Sequence, residues 1–206
     1  FKGSLTANEV AEAMAEGIRS VNPEIESIQF PLADGGDGTA AILAKHFKGE
    51  FIRIKVHNPL FEMIEASYGY SDSSKTAFIE MSAASGLRLI PIGKQNPLNT
   101  STLGTGEMIL DATHRGAEKI ILGIGGSATN DAGIGMAAAM GVKFLDRDGN
   151  ELKPVGANLE SIQSIDDSTL SFNPVGINVQ VACDVNNPLY GKKGAAWVYG
   201  PQKGAT

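Results

Sequence analysis

Cysteine occurs only once in the chain, at Cys183, so no internal disulfide framework is possible and a reducing compartment is favoured. No apolar run approaches the ~18 residues of a membrane-spanning helix. Basic residues are scattered, and the net charge of −6 leaves no cationic block of the kind that marks nucleic-acid binding. The three histidines, His46, His57 and His114, have no metal-ligand spacing, and no internal repeat recurs at a fixed period. What remains is a globular chain of 206 residues, enough for one large domain or two small ones. Glycine is plentiful: 25 residues, against a usual share of about 7%. The glycines gather at the ends of apolar runs, where a bare backbone can approach a ligand or another chain segment closely.

Thr6-Ala-Asn-Glu9 forms a capping box, and Val10, Met14, Ile18 and Val21 recur near helical spacing, which predicts a helix over 7–21. "SIQFPL" (27–32) reads as a strand, "ADGGDG" as a loop and 39–47 as a second helix, the order of a parallel α/β layer. Residues 51–79 alternate in short β-type runs and predict a small meander. Residues 85–101, with Pro91 and Pro97, read as a connector. A helix is expected over 105–116, capped by Thr105 and closed by Gly116, followed by the strand "EKIILGI" and a small-residue helix opened by Asn130 and Asp131. "VKFLDRDGNEL" suggests two strand pieces round a turn, and 177–185 the last strand. The chain begins without methionine and ends on "YGPQKGAT", so it is expected to be an internal piece of a longer protein.

Four stretches carry polar chemistry. "LGIGGSATNDAG" (122–133) stands where a strand passes to a helix; Gly125 and Gly126 remove side chains, Ser127 and Thr129 offer hydroxyls, and the site suits an anion. It equally satisfies a dinucleotide fingerprint over Gly123–Ala128, with Asp146 near the offset of a ribose-binding acid, or it is a packing device. "PLADGGDGT" sets Asp34 and Asp37 three apart with only glycines between them, a spacing that suits Mg²⁺, or an ordinary turn. "NTSTLGTGE" brings Thr105 and Gly106 to a helix start, as an anion site or a well-capped helix. Asp184 in "ACDVNNPLYG" falls near the end of a strand that looks buried, where a carboxylate needs a partner or a ligand. Cys183 beside it reads as a core residue. Lys2, Ser4 and Lys203 are further cation or hydroxyl candidates.

"FKGSL", "PLADGGDGT", "LGTGE", "GIGGSATND", "ACDVNNPL" and "GPQKGA", in this order and spacing, resemble the bacterial glycerate kinases of the first type over the whole chain. Two positions depart from that family's usual pattern: Asp37 stands where glutamate is common, and Ala132 where glycine is. The resemblance implies ATP-dependent, Mg²⁺-assisted phosphorylation of D-glycerate, with 2-phosphoglycerate favoured over 3-phosphoglycerate, in a cytoplasmic enzyme. It also implies an α/β protein of two α/β domains with the site between them. Residues 1–48 would be part of an incomplete flavodoxin-like, doubly wound domain, and 49–206 a second mixed α/β domain. The partners expected are D-glycerate and ATP, with no nucleic acid and no membrane, and with a homo-oligomer left open.

Because phosphoryl transfer needs alignment and neutralised charge, roles follow for the candidate residues. Gly125, Gly126, Ser127, Thr129, Asn130, Thr105, Gly106 and Ser4 would bind ligand oxygens, and Asp34 and Asp37 would carry Mg²⁺. Lys2 and Lys203 would offset negative charge. Asp184 would accept the proton of the attacking hydroxyl, with Asp131 in reserve. The rival readings are an NAD(P)-dependent oxidoreductase built on Gly123–Ala128 and a non-catalytic module that binds a phosphorylated metabolite.

Overall fold

The structure is a computed structural model that describes residues 4–32, 34–171 and 176–205. Helix α1 (Ala7–Val21) starts as predicted: Thr6 Oγ1 accepts the Glu9 amide while the Glu9 carboxylate accepts the Thr6 amide at 2.7 Å. Burial is slight, since Ala15 is its one buried residue among those described and Met14, Ile18 and Val21 face outward. The strand expected over 27–32 is absent; Ile28, Phe30 and Leu32 alternate as a strand would but stand exposed, with no neighbouring strand to pair with among the described residues.

Helix α2 (Thr39–His46) leads into the expected meander: β1 (Glu50–His57), β2 (Met63–Ser71) and β3 (Thr76–Glu80), antiparallel in turn. A short helix α3 (Ser82–Ser85) and a 3-10 turn at Leu87–Leu89 open the connector. Helix α4 (Leu103–His114) then crosses to β4 (Lys119–Gly123), which lies parallel to β3. Helix α5 (Ile134–Ala139), β5 (Lys143–Leu145) and β6 (Ser164–Asp166) precede β7 (Asn178–Ala182), parallel to β4. The five-stranded order is β1-β2-β3-β4-β7, and β5 pairs with β6 in a separate two-stranded ribbon. Helix α6 (Ala195–Tyr199) and a 3-10 turn at Pro201–Lys203 follow. Among the described residues no helix is long and apolar enough to cross a membrane.

The sheet is covered on both faces because its central strands alternate in two apolar directions. Ala77, Ile79, Ile120 and Leu122 join Met108, Ile109 and Ala112 of α4 in the larger core. Phe78 points the other way, onto Ala40 and Ala44 of α2, with Ile121 beside it. A Cβ at Gly69 would lie 2.7 Å from the Ala44 methyl, so the missing side chain on β2 lets α2 settle on the sheet. Helix α2, which precedes the boundary expected after residue 48, thus packs on this sheet. Polar pins hold α4: Tyr68 donates to Asp111 at 2.6 Å and Arg115 Nε to the same oxygen at 2.7 Å. Burial and this carboxylate push the Tyr68 phenol well above its ordinary range.

Backbone meets backbone at the C-terminal end of β4 and β7. Gly35 has φ +90°, and a Cβ there would collide with the Ala182 carbonyl oxygen; one at Gly123 would lie 2.5 Å from the Gly35 oxygen. Gly38 has nearly the same torsion, φ +89°, but open space around it. Gly35→Ala should therefore cost about 2–4 kcal/mol, left-handed strain plus overpacking, and Gly38→Ala about 1 kcal/mol of strain alone. Urea unfolding of both variants checks this; equal losses would show that the contact with Ala182 contributes nothing.

Candidate active site

Ligands of open α/β sheets collect beyond the carboxyl ends of the strands. Three loops meet there. The acid loop 34–38 lies across the exit of β4: the Gly125 amide donates to the Gly35 carbonyl at 3.1 Å, and a Cβ at Gly125 would be 2.8 Å from Gly36 Cα. The end of β7 closes the other side, with the Ile124 amide directed at Ala182 oxygen at 3.5 Å. The amides of Ile124, Gly125 and Ala128 are thus committed to Ala182, Gly35 and Ser85. Within the turn expected to bind an anion over 125–127, the Gly125 amide is taken up in backbone packing.

The expected helix N-terminus behind that turn also lies elsewhere. Helix α5 begins only at Ile134, after Gly133 at φ +77°. Asn130 and Asp131 precede it, and Ala132 takes φ +50°, a left-handed torsion that glycine adopts at no steric cost. The physical reason is local. Two successive left-handed residues cannot continue a helix, so the chain winds only after them. The fingerprint of the dinucleotide reading loses its helix, and Asp146 its ribose role. Asp146 Oδ1 instead accepts the Asp148 and Asn150 amides at 2.9 and 2.8 Å in its own turn, and these bonds hold its carboxyl below the usual range.

Asp131 is 2% exposed, and four donors surround its carboxylate: the Thr102 amide and hydroxyl, both at 2.8 Å, and the Gly133 and Gly135 amides at 3.2 Å. It ties the start of α4 to the start of α5. Thr102, not Thr105, precedes α4. Thr105 and Gly106 lie within the first helical turns, Thr105 fully buried with its hydroxyl 2.7 Å from Ser85 Oγ, and Gly106 against Met136 oxygen where a Cβ would fit at only 2.5 Å. They therefore sit in packing contacts, not in the open turn expected.

Lys203 reaches the 127–129 loop from the far end of the chain. Its Nζ donates to Ser127 Oγ at 2.9 Å and to the Thr129 carbonyl at 2.7 Å. Burial lowers the pKa of this ammonium, while the Asp131 charge acts the other way. A pocket of about 200 Å³ lies alongside, bounded by Ser127, Thr129, Asn130 and Asp131 on the polar side and by Met81, Ile124 and Met136 on the apolar side.

In the acid loop, Asp34 Oδ1 accepts the Gly36 amide at 2.9 Å. Asp37 is paired with Arg88 at 2.8 Å and accepts from Ser82 Oγ at 3.2 Å. Among the described residues no group of three or more His, Cys, Asp or Glu side chains could hold a metal. Mg²⁺ takes one or two carboxylates from protein and the rest from water and phosphate, so this loop has the donor types it uses. Glu80, Ser82 and Arg88 went unnoticed in the sequence. Glu80 accepts the Ala40 amide at 2.7 Å at the start of α2, and burial raises its pKa against that bond. The one local signal was an acid closing the apolar strand "TAFIE".

The remaining candidates are dispersed. Asp184 follows β7 at the same end of the sheet, but it is exposed, because β7 is an edge strand whose side chains are mostly open to solvent. Cys183 is exposed as well, not a core residue. Ser4 stands before α1, and Lys2 lies outside the described residues.

The glycerate kinase family model matches residues 1–206. A glycerate kinase of Bacillus cereus is 50% identical over 205 residues, covering 100% of this chain and 54% of that protein. A glycerate 2-kinase of Escherichia coli K12 is 48% identical over 206 residues, again 100% of this chain and 54% of the relative. A crystal structure of a candidate glycerate kinase 2 from Salmonella typhimurium LT2 superposes with a TM-score of 0.89 at 47% identity, covering 100% of this chain and 56% of that one. The chain spans about half the length of the relatives it matches. With the family model matched from end to end and the α/β fold shared, it belongs to the glycerate kinase family.

Proposed function

We propose that the complete protein transfers the γ-phosphoryl group of ATP to D-glycerate, with Mg²⁺ and with 2-phosphoglycerate as product. The observation that carries the reading is the meeting of the acid loop, the 123–129 turn and the end of β7 at one edge of the sheet, with the Lys203 ammonium seated on the middle one. Phosphoryl transfer asks for aligned reactants and neutralised charge, and this edge offers both signs of charge within interlocked loops. The name of the Escherichia coli relative favours the 2-position.

Residue roles follow from position. Asp34 and Asp37 hold Mg²⁺, Asp37 exchanging Arg88 for the ion. Gly126, Ser127, Thr129 and Asn130 bind ligand oxygens, with Gly125 shaping the turn. Lys203, together with Lys2, offsets charge developing on the transferred group. Asp184, exposed beyond β7, accepts the hydroxyl proton. Asp131, with four donors on its carboxylate, organises the turn and does not move a proton. Two domains form the cleft, with the break ahead of α2, because Ala40 and Ala44 pack on Phe78.

In the complete protein, Asp184→Asn should lower kcat by about 10²–10⁴-fold with ATP binding intact. Asp131→Asn should cost about 1–3 kcal/mol in urea unfolding by setting an amide against the Thr102 donors. Near-normal turnover of the first variant would remove Asp184 from the role, and unchanged stability of the second would remove Asp131 from its own.

Lys203 gives the pH dependence. Its pKa is lower in the folded than in the unfolded chain, so between the two values the unfolded chain binds more protons and stability rises with pH. Turnover runs the opposite way. It should fall as pH rises through the lowered value, because the cation is lost. Lys203→Arg, charged throughout, should move that alkaline limb upward in a kcat/KM profile; an unmoved limb assigns it to another group. Titration with ATP–Mg²⁺ should show binding and with NAD⁺ none, the reverse favouring the oxidoreductase.

A further inference from the structure

We infer that the pocket between the β4 exit loop and α5 seats the acceptor, a hydroxy acid of three or four carbons, and that the nucleotide lies outside it. The assignment rests on the kinase reading and goes beyond it by separating the two substrates. Size is the first reason. The pocket holds about 200 Å³, below the ~300–1,000 Å³ of sites for drug-sized ligands. A three-carbon hydroxy acid is smaller than the ligands of such sites, whereas a nucleoside triphosphate is not.

The uncommitted polar groups are the second reason. Ser127 Oγ accepts from Lys203, so its own proton is free to be donated, and Ser127 lines the pocket. The Thr129 hydroxyl and the exposed Asn130 carboxamide line it too, and neither has a partner among the described residues. These groups can bind a carboxylate and one or two hydroxyls. Met81, Ile124 and Met136 supply an apolar wall for a short carbon skeleton. The Asp131 charge at the back is already met by four donors and by the nearby Lys203, so it neither repels an anion strongly nor offers a free acceptor.

Steady-state kinetics of Asn130→Ala and Thr129→Val in the complete protein test this, together with calorimetric titration of ATP–Mg²⁺ in the absence of glycerate. The KM for glycerate should rise at least tenfold in each variant, with the KM and Kd for ATP changed by less than twofold. A raised KM or weakened binding for ATP with glycerate unaffected would make the pocket the nucleotide's. Unchanged constants for both substrates would remove it from the site altogether. The kinase reading itself fails separately, if the wild-type protein does not phosphorylate glycerate; that result appears before any variant is compared.

Discussion

Contact between main chains with nothing in between is the constraint on which this structure turns. Gly35 lies on the carbonyl that ends β7, Gly123 lies on the carbonyl of Gly35, and Gly125 lies on Gly36. A methyl group at any of these positions would overlap the facing main chain and push the acid loop off the sheet. Held there, the loop hands its chain to α2, whose Ala40 amide donates to Glu80 at the end of β3 and whose small residues pack on Phe78. Asp37 is left beside Ser82 and Arg88. Loop placement, helix docking and carboxylate position are thus one event, governed by the absence of side chains.

Local chemistry made much of the fold legible. The Thr6–Glu9 box, the alternation through 51–79 and the apolar run before Gly123 each specify an element from neighbours within a few residues. The failures share a cause in partners distant along the chain. "NTSTLGTGE" offers several hydroxyl residues as helix caps, and Thr102 is selected by Asp131, 29 positions later. Ile28, Phe30 and Leu32 have strand alternation, which states the two faces but not whether a neighbour exists to pair with. The apolar run before Asp184 suggested burial, yet β7 lies at an edge of the sheet. Ser82 and Glu80 went unseen because their partners, Asp37 and Ala40, stand 45 and 40 positions away.

A buried charge and a half-buried one divide the labour around the 127–133 loop. Asp131 has its desolvation offset by donors from two helix starts, which makes it a fixed part of the scaffold. Lys203 is met, among the described residues, by a hydroxyl and a carbonyl, both neutral partners. An ammonium in that state is poorly compensated. An anion beside it would relieve that deficit.

Lys203 closes onto Ser127 across 76 positions of chain. Ring closures of that span are entropically late, and they form after the hairpin and helix contacts nearby in sequence. During synthesis on the ribosome, the sheet and its glycine-lined edge can assemble while this lysine is still in the exit tunnel. Until Lys203 docks, the sheet edge has its glycine contacts but lacks the ammonium that seats on Ser127.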